Sequence, residues 1–174
     1  AKVSLTHSLQ DACRLQECLA RDLFSAAGVP VPRATPVLLE LNGRDLGLYV
    51  LTEGFDGRFV ARHFPEKGGV LYEGGILRDI DAAPKVVTGE EPAGESPLSA
   101  LIAAARRPDP EERFEALSSL LDLERFFSMA AIETILCHSD SYTMNRNNYR
   151  LYYSRASGRF TFISVTGPRV SMSR

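Results

Sequence analysis

Residues 137–149 read CHSDSYTMNRNNY. Three of the four asparagines in the chain fall within 145–148 of this stretch. His138, Asp140 and Asn145 have the spacing H-x-D-x-x-x-x-N. Phosphoryl-transfer catalytic loops use that spacing: an Asp accepts a hydroxyl proton, and an Asn five residues on holds magnesium. A tight turn after the Asp lets both oxygen-bearing side chains face one cleft. The His in such a loop anchors backbone. The same residue types also make turns, with His138 at a helix end and Asp140 and Asn145 as turn formers. Both readings stand on these residues alone.

Other chemistries fit less well. Cys137 and His138 are adjacent, and neighbours at a helix end point in different directions, so they do not form a nucleophile–base pair. There is no G-x-S-x-G elbow. His138 and Asp140 have no further ligands at metal-site spacing. Cys13, Cys18 and Cys137 form an odd, sparse set without a CxxC, which is neither a disulfide framework nor a zinc site. All three are expected as small buried hydrophobes.

The elements that must position the loop are readable from periodicity and punctuation. Residues 8–28 predict a helix with an apolar face at Ala12, Leu15, Leu19, Leu23 and Ala27, capped by Ser8 or Asp11 and ended by Gly28. Val37–Leu41 and Gly47–Thr52 predict a hairpin turning at Asn42-Gly43, with a bulged or longer turn of about five residues. Residues 56–64 predict a short helix capped by Asp56, and Val70–Tyr72 a short strand. Pro84 to Pro97 reads as loop, mobile and acidic in its GEEPAGES stretch. Helices follow at 98–107 and 110–121. A third, capped by Asp122 and reading LERFFSMAAIETILC, is apolar around most of its surface and is expected to be buried. Tyr149–Tyr153 and Arg159–Ile163 predict a second hairpin joined by SRASG. The opening stretch thus lies between a buried helix and a hairpin, where rigid elements hold polar side chains outward.

Composition is that of a globular chain, 44% hydrophobic and 24% charged with a net charge of -2. The arginines are spread along the chain, which excludes the clustered phosphate contacts of a nucleic-acid binder. No apolar run reaches transmembrane length.

HSDSYTMNRNNYRLYYSRASGRFTFI resembles the signature of the spore coat protein H (CotH) kinase family, D-x-x-x-x-N-x-N-N-Y-x-L-Y followed by a turn and a G-x-F-x-F-I strand. LQECLARDLFSAAGVPVPRA is similar to the family's helix and Pro-Arg exit. LNGRDLGLYVLTEGFDGRFVARHF is similar to its N-G-x-x-x-G-L-Y-x-x-x-E-x-x-D segment, and GGVLYEGG to its L-Y-x-G strand end. The matches run in order from about Cys13 to Ile163.

The resemblance implies an α+β, reduced protein-kinase-like fold, with a hairpin-containing N-terminal part and a helical C-terminal part, truncated at both ends. Residues 1–163 would be a partial kinase-like domain, divided into an N-lobe-like part (1–83), a mobile loop (84–97) and helices, catalytic loop and hairpin (98–163). Residues 164–174 would be an atypical tail. The implied activity is ATP-dependent phosphorylation of a Ser-rich protein substrate with magnesium or manganese, in an extracytoplasmic, cell-surface or spore-coat setting. Carried over by position, Asp140 is the base and Asn145 the metal ligand. Glu53 and Asn148 are nucleotide-side candidates, and His138, Asn147 and Tyr149 shape the loop. Glu53 also reads as a salt-bridged strand end, and Glu17, which matches a helix glutamate, as exposed surface charge. No lysine is assigned to the ATP phosphates: Lys2 lies in a candidate strand, Lys67 and Lys85 in loops.

This chain departs from the pattern after Ile163. The family continues into a Pro-Trp motif with one or two aspartates, whereas here the sequence reads SVTGPRVSMSR, with no Asp or Glu after Asp140 and no Trp anywhere. Magnesium is held through one or two carboxylates plus phosphates, so impaired activity is expected, with a pseudokinase or a surface, partner-binding module as the alternative. Three explanations of the departure are open: a catalytically dead relative, a tail that comes from a shifted reading frame or truncated gene model, or a carboxylate such as Asp79 or Asp81 swinging in from elsewhere.

Overall fold

The computed structural model describes residues 2–7, 11, 13 and 15–165. The chain folds as a mixed α+β structure around two antiparallel sheets. The first sheet has the order β1-β3-β2, built from β1 (Val3–Thr6), β2 (Ala34–Leu41) and β3 (Arg44–Glu53). The second has the order β5-β4-β6-β7, built from β4 (Val70–Glu73), β5 (Lys85–Thr88), β6 (Tyr149–Ser154) and β7 (Arg159–Ser164). β4 and β6 pair with Val70 opposite Tyr153 and Glu73 opposite Arg150. Strands from both sides of the 84–97 stretch therefore share one sheet.

Local chemistry explains most of the boundaries. Asn42 and Gly43 both take positive φ, at 54° and 75°, so β2 and β3 are joined by a two-residue turn of the hairpin type. The irregularity expected in that turn lies instead in the strands, where the register shifts between Leu39 and Glu40. Asp56 caps α2 (Gly57–His63), its carboxylate accepting the Arg58 and Phe59 N–H groups. Asp109 does the same for α4 (Pro110–Leu120), and Asp122 accepts the Arg125 N–H at the start of α5 (Leu123–Ile135). α3 spans Pro97–Ala105.

Several expectations are corrected. α1 spans Gln16–Ala26; the Gln16 N–H is taken by Asp11 Oδ2 at 2.7 Å, while the Ser8 cap and Ala12 lie outside the described residues. Its buried stripe is Glu17, Ala20 and Phe24, and the leucines at 15, 19 and 23 are exposed. Phe24 turns the helix this way by filling the core with Val29 and Val31. Within the expected loop, Lys85–Thr88 forms β5, because its Val-Val-Thr run supplies a β-prone edge to β4. α5 is buried on one face only: Met129, Ile132 and Glu133 face inward, while Phe127 and Ile135 are 56% and 73% exposed. The cysteines are not core residues. Cys13 and Cys137 are exposed in the turns beside helices and Cys18 is half-buried.

The main core gathers Phe24, Leu101, Met129, Leu151, Phe160 and their neighbours. A smaller cluster forms where Phe64 stacks on Tyr152 with ring centroids 3.8 Å apart. Two glycines admit aromatic rings: a Cβ at Gly69 would overlap the Tyr152 hydroxyl, and one at Gly74 would overlap the Tyr149 ring. Among the described residues no helix is long and apolar enough to cross a membrane.

Candidate active site

The loop begins with a helix stop built from an unusual residue. Leu136 ends α5, and Cys137 follows with φ 50°. The Cys137 N–H donates to Thr134 O and the His138 N–H to Glu133 O, the paired bonds of a left-handed helix cap that glycine usually provides. The chain then turns through Ser139 and Asp140 into α6 (Tyr142–Asn145), a single turn with Arg146 left-handed after it. Asn148 is left-handed too, at φ 47°.

This winding folds the loop back onto Asp140. Asn147 Nδ2 donates to Asp140 Oδ1 at 2.5 Å. Asn148 Nδ2 donates to Asp140 Oδ2 at 2.5 Å and to the Asp140 carbonyl at 2.8 Å. Each carboxylate oxygen is thus held by a neutral amide, and among the described ion pairs none involves Asp140. The side chain is half-buried. Both ends of the loop are fastened to Val165, just past β7: the Val165 N–H donates to Asn148 O at 2.8 Å, and His138 Nε2 lies 3.3 Å from Val165 O. His138 therefore anchors backbone.

Asn145 is exposed, and its Nδ2 donates to Ser139 O at 2.5 Å. The amide nitrogen is spent on the loop, so Oδ1 is the atom suited to a cation. Tyr149 is buried, its hydroxyl donating to Arg78 O at 3.1 Å. Burial, with help from the Asp79 and Asp81 charges, pushes that phenol up to about 12. Tyr142 donates to Asp79 Oδ1 at 2.8 Å and is raised further, by burial first and by that bond second.

A model for the family described as CotH kinase protein matches residues 1–164. The chain belongs to the CotH kinase family. No curated protein matched it. The family makes the chain kinase-like in general, and the residues that family resemblance singles out in this CotH kinase relative fall into two groups.

His138, Asp140, Asn145, Asn147, Asn148 and Tyr149 lie together on the loop, Asn147 and Asn148 against Asp140 and Asn145 against Ser139. Glu53 lies apart, at the end of β3, where Arg62 reaches both of its oxygens at 2.5 Å and the Arg33 N–H adds a third bond. Burial alone would raise the Glu53 carboxyl, but the Arg62 and Arg33 bonds hold it below its ordinary range. Glu53 also lines a cavity of about 240 Å3 with Lys2, Glu17, Thr52, Arg150 and Val165. Val165 is common to this cavity and to the loop's fastening. Glu17 is buried there, accepting from the Thr52 hydroxyl at 2.8 Å, so it is not a surface charge.

Asp79 and Asp81 are engaged elsewhere. Asp79 already accepts from Tyr142 and from the Ile80 N–H, and Asp81 pairs with Arg106 at 2.6 Å. Among the described residues no group of three or more His, Cys, Asp or Glu is placed to share a metal. With both Asp140 oxygens taken by amides, Asn145 Oδ1 is the loop oxygen that would meet a hard cation, whose other ligands would be phosphate oxygens and water.

Sequence reasoning missed Arg150 and Val165. Arg150 pairs with Glu73 at 2.5 Å and lies over the Phe55 ring, 4.9 Å from its centroid. A lone arginine inside an aromatic strand, RLYY, was the available signal. Val165 acts through backbone atoms, and no side-chain pattern announces that.

Proposed function

We propose that this chain is a CotH-type protein kinase of the Ser-directed class, with Asp140 as the base. The observation that carries the reading is the Asp140 carboxylate, half-buried and held oxygen by oxygen by two neutral amides. Neutral donors orient the group and leave its charge available to a hydroxyl. The substrate serine O–H would give its proton to Asp140 as its oxygen bonds to the γ-phosphorus of ATP, while the bond from that phosphorus to the β-phosphate oxygen breaks and ADP leaves. Asn145 Oδ1 is the amide ligand of the magnesium or manganese, which would supply charge neutralisation on the phosphates. Glu53 and the cavity it shares with Glu17 and Lys2 form the nucleotide side, with Asn148 contributing through its hold on Asp140. The substrate is a Ser-rich protein segment.

Residues 164–174, where the family pattern carries a metal-binding aspartate, hold no Asp or Glu, and this departure predicts weak metal binding and slow transfer. The same departure favours a second reading: an inactive, partner-binding relative. Transfer of labelled phosphate from ATP to a Ser-rich peptide, with magnesium or manganese, separates the two. Slow transfer is expected, falling on the order of 10²–10⁴-fold in Asp140→Asn with an unchanged far-UV spectrum. Wild-type rates in that variant would remove Asp140 from the role. No transfer, together with no rise in melting temperature at millimolar ATP and metal, selects the inactive reading; binding at a hundredfold excess over Kd stabilises by about 2.7 kcal/mol.

A further inference from the structure

Beneath the loop lies a carboxyl group that phosphoryl transfer does not itself require. Glu133 sits on α5 and is fully buried. Its Oε2 accepts from the Thr143 hydroxyl at 2.6 Å and from the Thr143 N–H at 3.2 Å. Its Oε1 is buried with no hydrogen-bond partner among the described residues. Glutamate is almost never fully buried unless paired, because losing water costs far more than packing returns. A leucine would fill this site on α5 without that cost, so the carboxyl is there for its bonds.

Those bonds fall on either side of Asp140. The Glu133 carbonyl accepts the His138 N–H at 2.9 Å, ahead of the aspartate. The Glu133 side chain takes Thr143, behind it. Ser141, at the cap position of α6, makes no capping bond with its own side chain. The Thr143 N–H is one of the donors a helical turn leaves without an internal partner, and Glu133 satisfies it from another helix. The turn so fixed presents Ser141 O, which accepts the N–H groups of Asn145 at 2.9 Å and Asn147 at 3.2 Å. Asn147 in turn holds Asp140.

We infer that Glu133 is a positioning residue: through Thr143 it sets the α6 turn and, with it, the amides that orient Asp140 and face the metal. This rests on the reading of Asp140 as the base only for its effect on rate; the geometric part stands without it.

The experiment uses the full chain and reads two things. The first is the side-chain amide signals of Asn147 and Asn148 by 15N-resolved NMR, which report their bonds to Asp140 with no reference to activity. The second is kcat and the KM for ATP in phosphate transfer to a Ser-rich peptide. Glu133→Gln keeps an oxygen that accepts from Thr143; Glu133→Ala removes it, and Thr143→Val removes the hydroxyl alone. In Glu133→Ala and Thr143→Val, both amide signals should move and kcat should fall on the order of tenfold to a hundredfold, the scale of a misplaced catalytic group, with the ATP KM within about twofold. Glu133→Gln should restore the signals and most of kcat. Unmoved signals in a folded Glu133→Ala overturn the inference. If that variant does not fold, unmoved signals in Thr143→Val overturn it equally. Signals that move in a protein whose wild type transfers no phosphate support the positioning and remove the phosphotransfer reading instead.

Discussion

One amide of Asn148 holds Asp140 at two atoms, the backbone carbonyl at 2.8 Å and the carboxylate Oδ2 at 2.5 Å. Both hydrogens of Nδ2 are used, so the aspartate is fixed relative to its own backbone. The arrangement needs Asn148 in the left-handed region, which asparagine tolerates better than most residues.

Asn148→Asp keeps that tolerance and replaces the donor with a second negative charge beside Asp140. The clamp becomes a repulsion, and Asp140 loses a bond that a half-buried acceptor needs. A destabilisation of about 1–3 kcal/mol is expected, read as a lower urea midpoint at unchanged slope. Phosphate transfer should fall with it. A midpoint equal to wild type would mean that the clamp carries no load.

Cys137 offers the opposite sign. It occupies the left-handed position after α5 with an exposed side chain that buries little. A Cβ there opposes the following carbonyl, a strain of about 1–2 kcal/mol that glycine lacks, partly offset by glycine's greater freedom when unfolded. Cys137→Gly should stabilise by about 0.5–1 kcal/mol in denaturant titration. A loss of stability would show that the thiol makes a contact the geometry does not reveal.

Much of the fold was legible because it is local. Asn42-Gly43 marks where the chain turns, though not how tightly, Asp56 and Asp122 announce their helices, and alternation marks β6 and β7. The orientation of α1 was not legible. Its leucines at 15, 19 and 23 have the better helical spacing, yet Glu17 and Phe24 face inward because Thr52 and the Val29–Val31 pocket wait for them. Those partners lie on segments that periodicity within one helix cannot see. At the site, the spacing of Asp140, Asn145, Asn147 and Asn148 flagged the loop, while the division of labour among the amides did not follow from spacing. It depends on left-handed backbone at Arg146 and Asn148, and on Glu133 beneath.

Gly74 tests how tightly the sheet supports the loop. A methyl group there would overlap the Tyr149 ring, and Tyr149 follows Asn148 directly. The ring is boxed by Tyr142 and Phe162, so it cannot swing aside freely. Gly74→Ala should cost about 1–3 kcal/mol, the range for overpacking a core, and should weaken phosphate transfer through the displaced loop. Tyr149→Phe in the same background should not relieve it, because the overlap is with the ring carbons Cε1, Cζ and Cδ1. Relief by that change would locate the clash at the oxygen.

Acid stability separates the roles of Glu53 and its neighbour His63. The Glu53 carboxyl is lowered: burial opposes this, but the Arg62 bonds, the Arg33 N–H and their charges prevail. As pH falls, the unfolded chain therefore takes up this proton first. The stabilisation is full above about 4.5, the ordinary value, and is lost as pH drops through the lowered folded one. His63 is lowered from 6.5, by burial first and by the Arg62 charge second, so its contribution declines from about that pH downward. Glu53→Gln should begin with a lower melting temperature at pH 7 and converge with wild type well below pH 4.5, since protonation then removes from wild type the ion pair that the variant already lacks. The decline that starts near pH 6.5 should persist in the variant, because it belongs to the imidazole. Parallel curves that never converge would place the variant's loss in packing rather than in the Glu53–Arg62 charge pair.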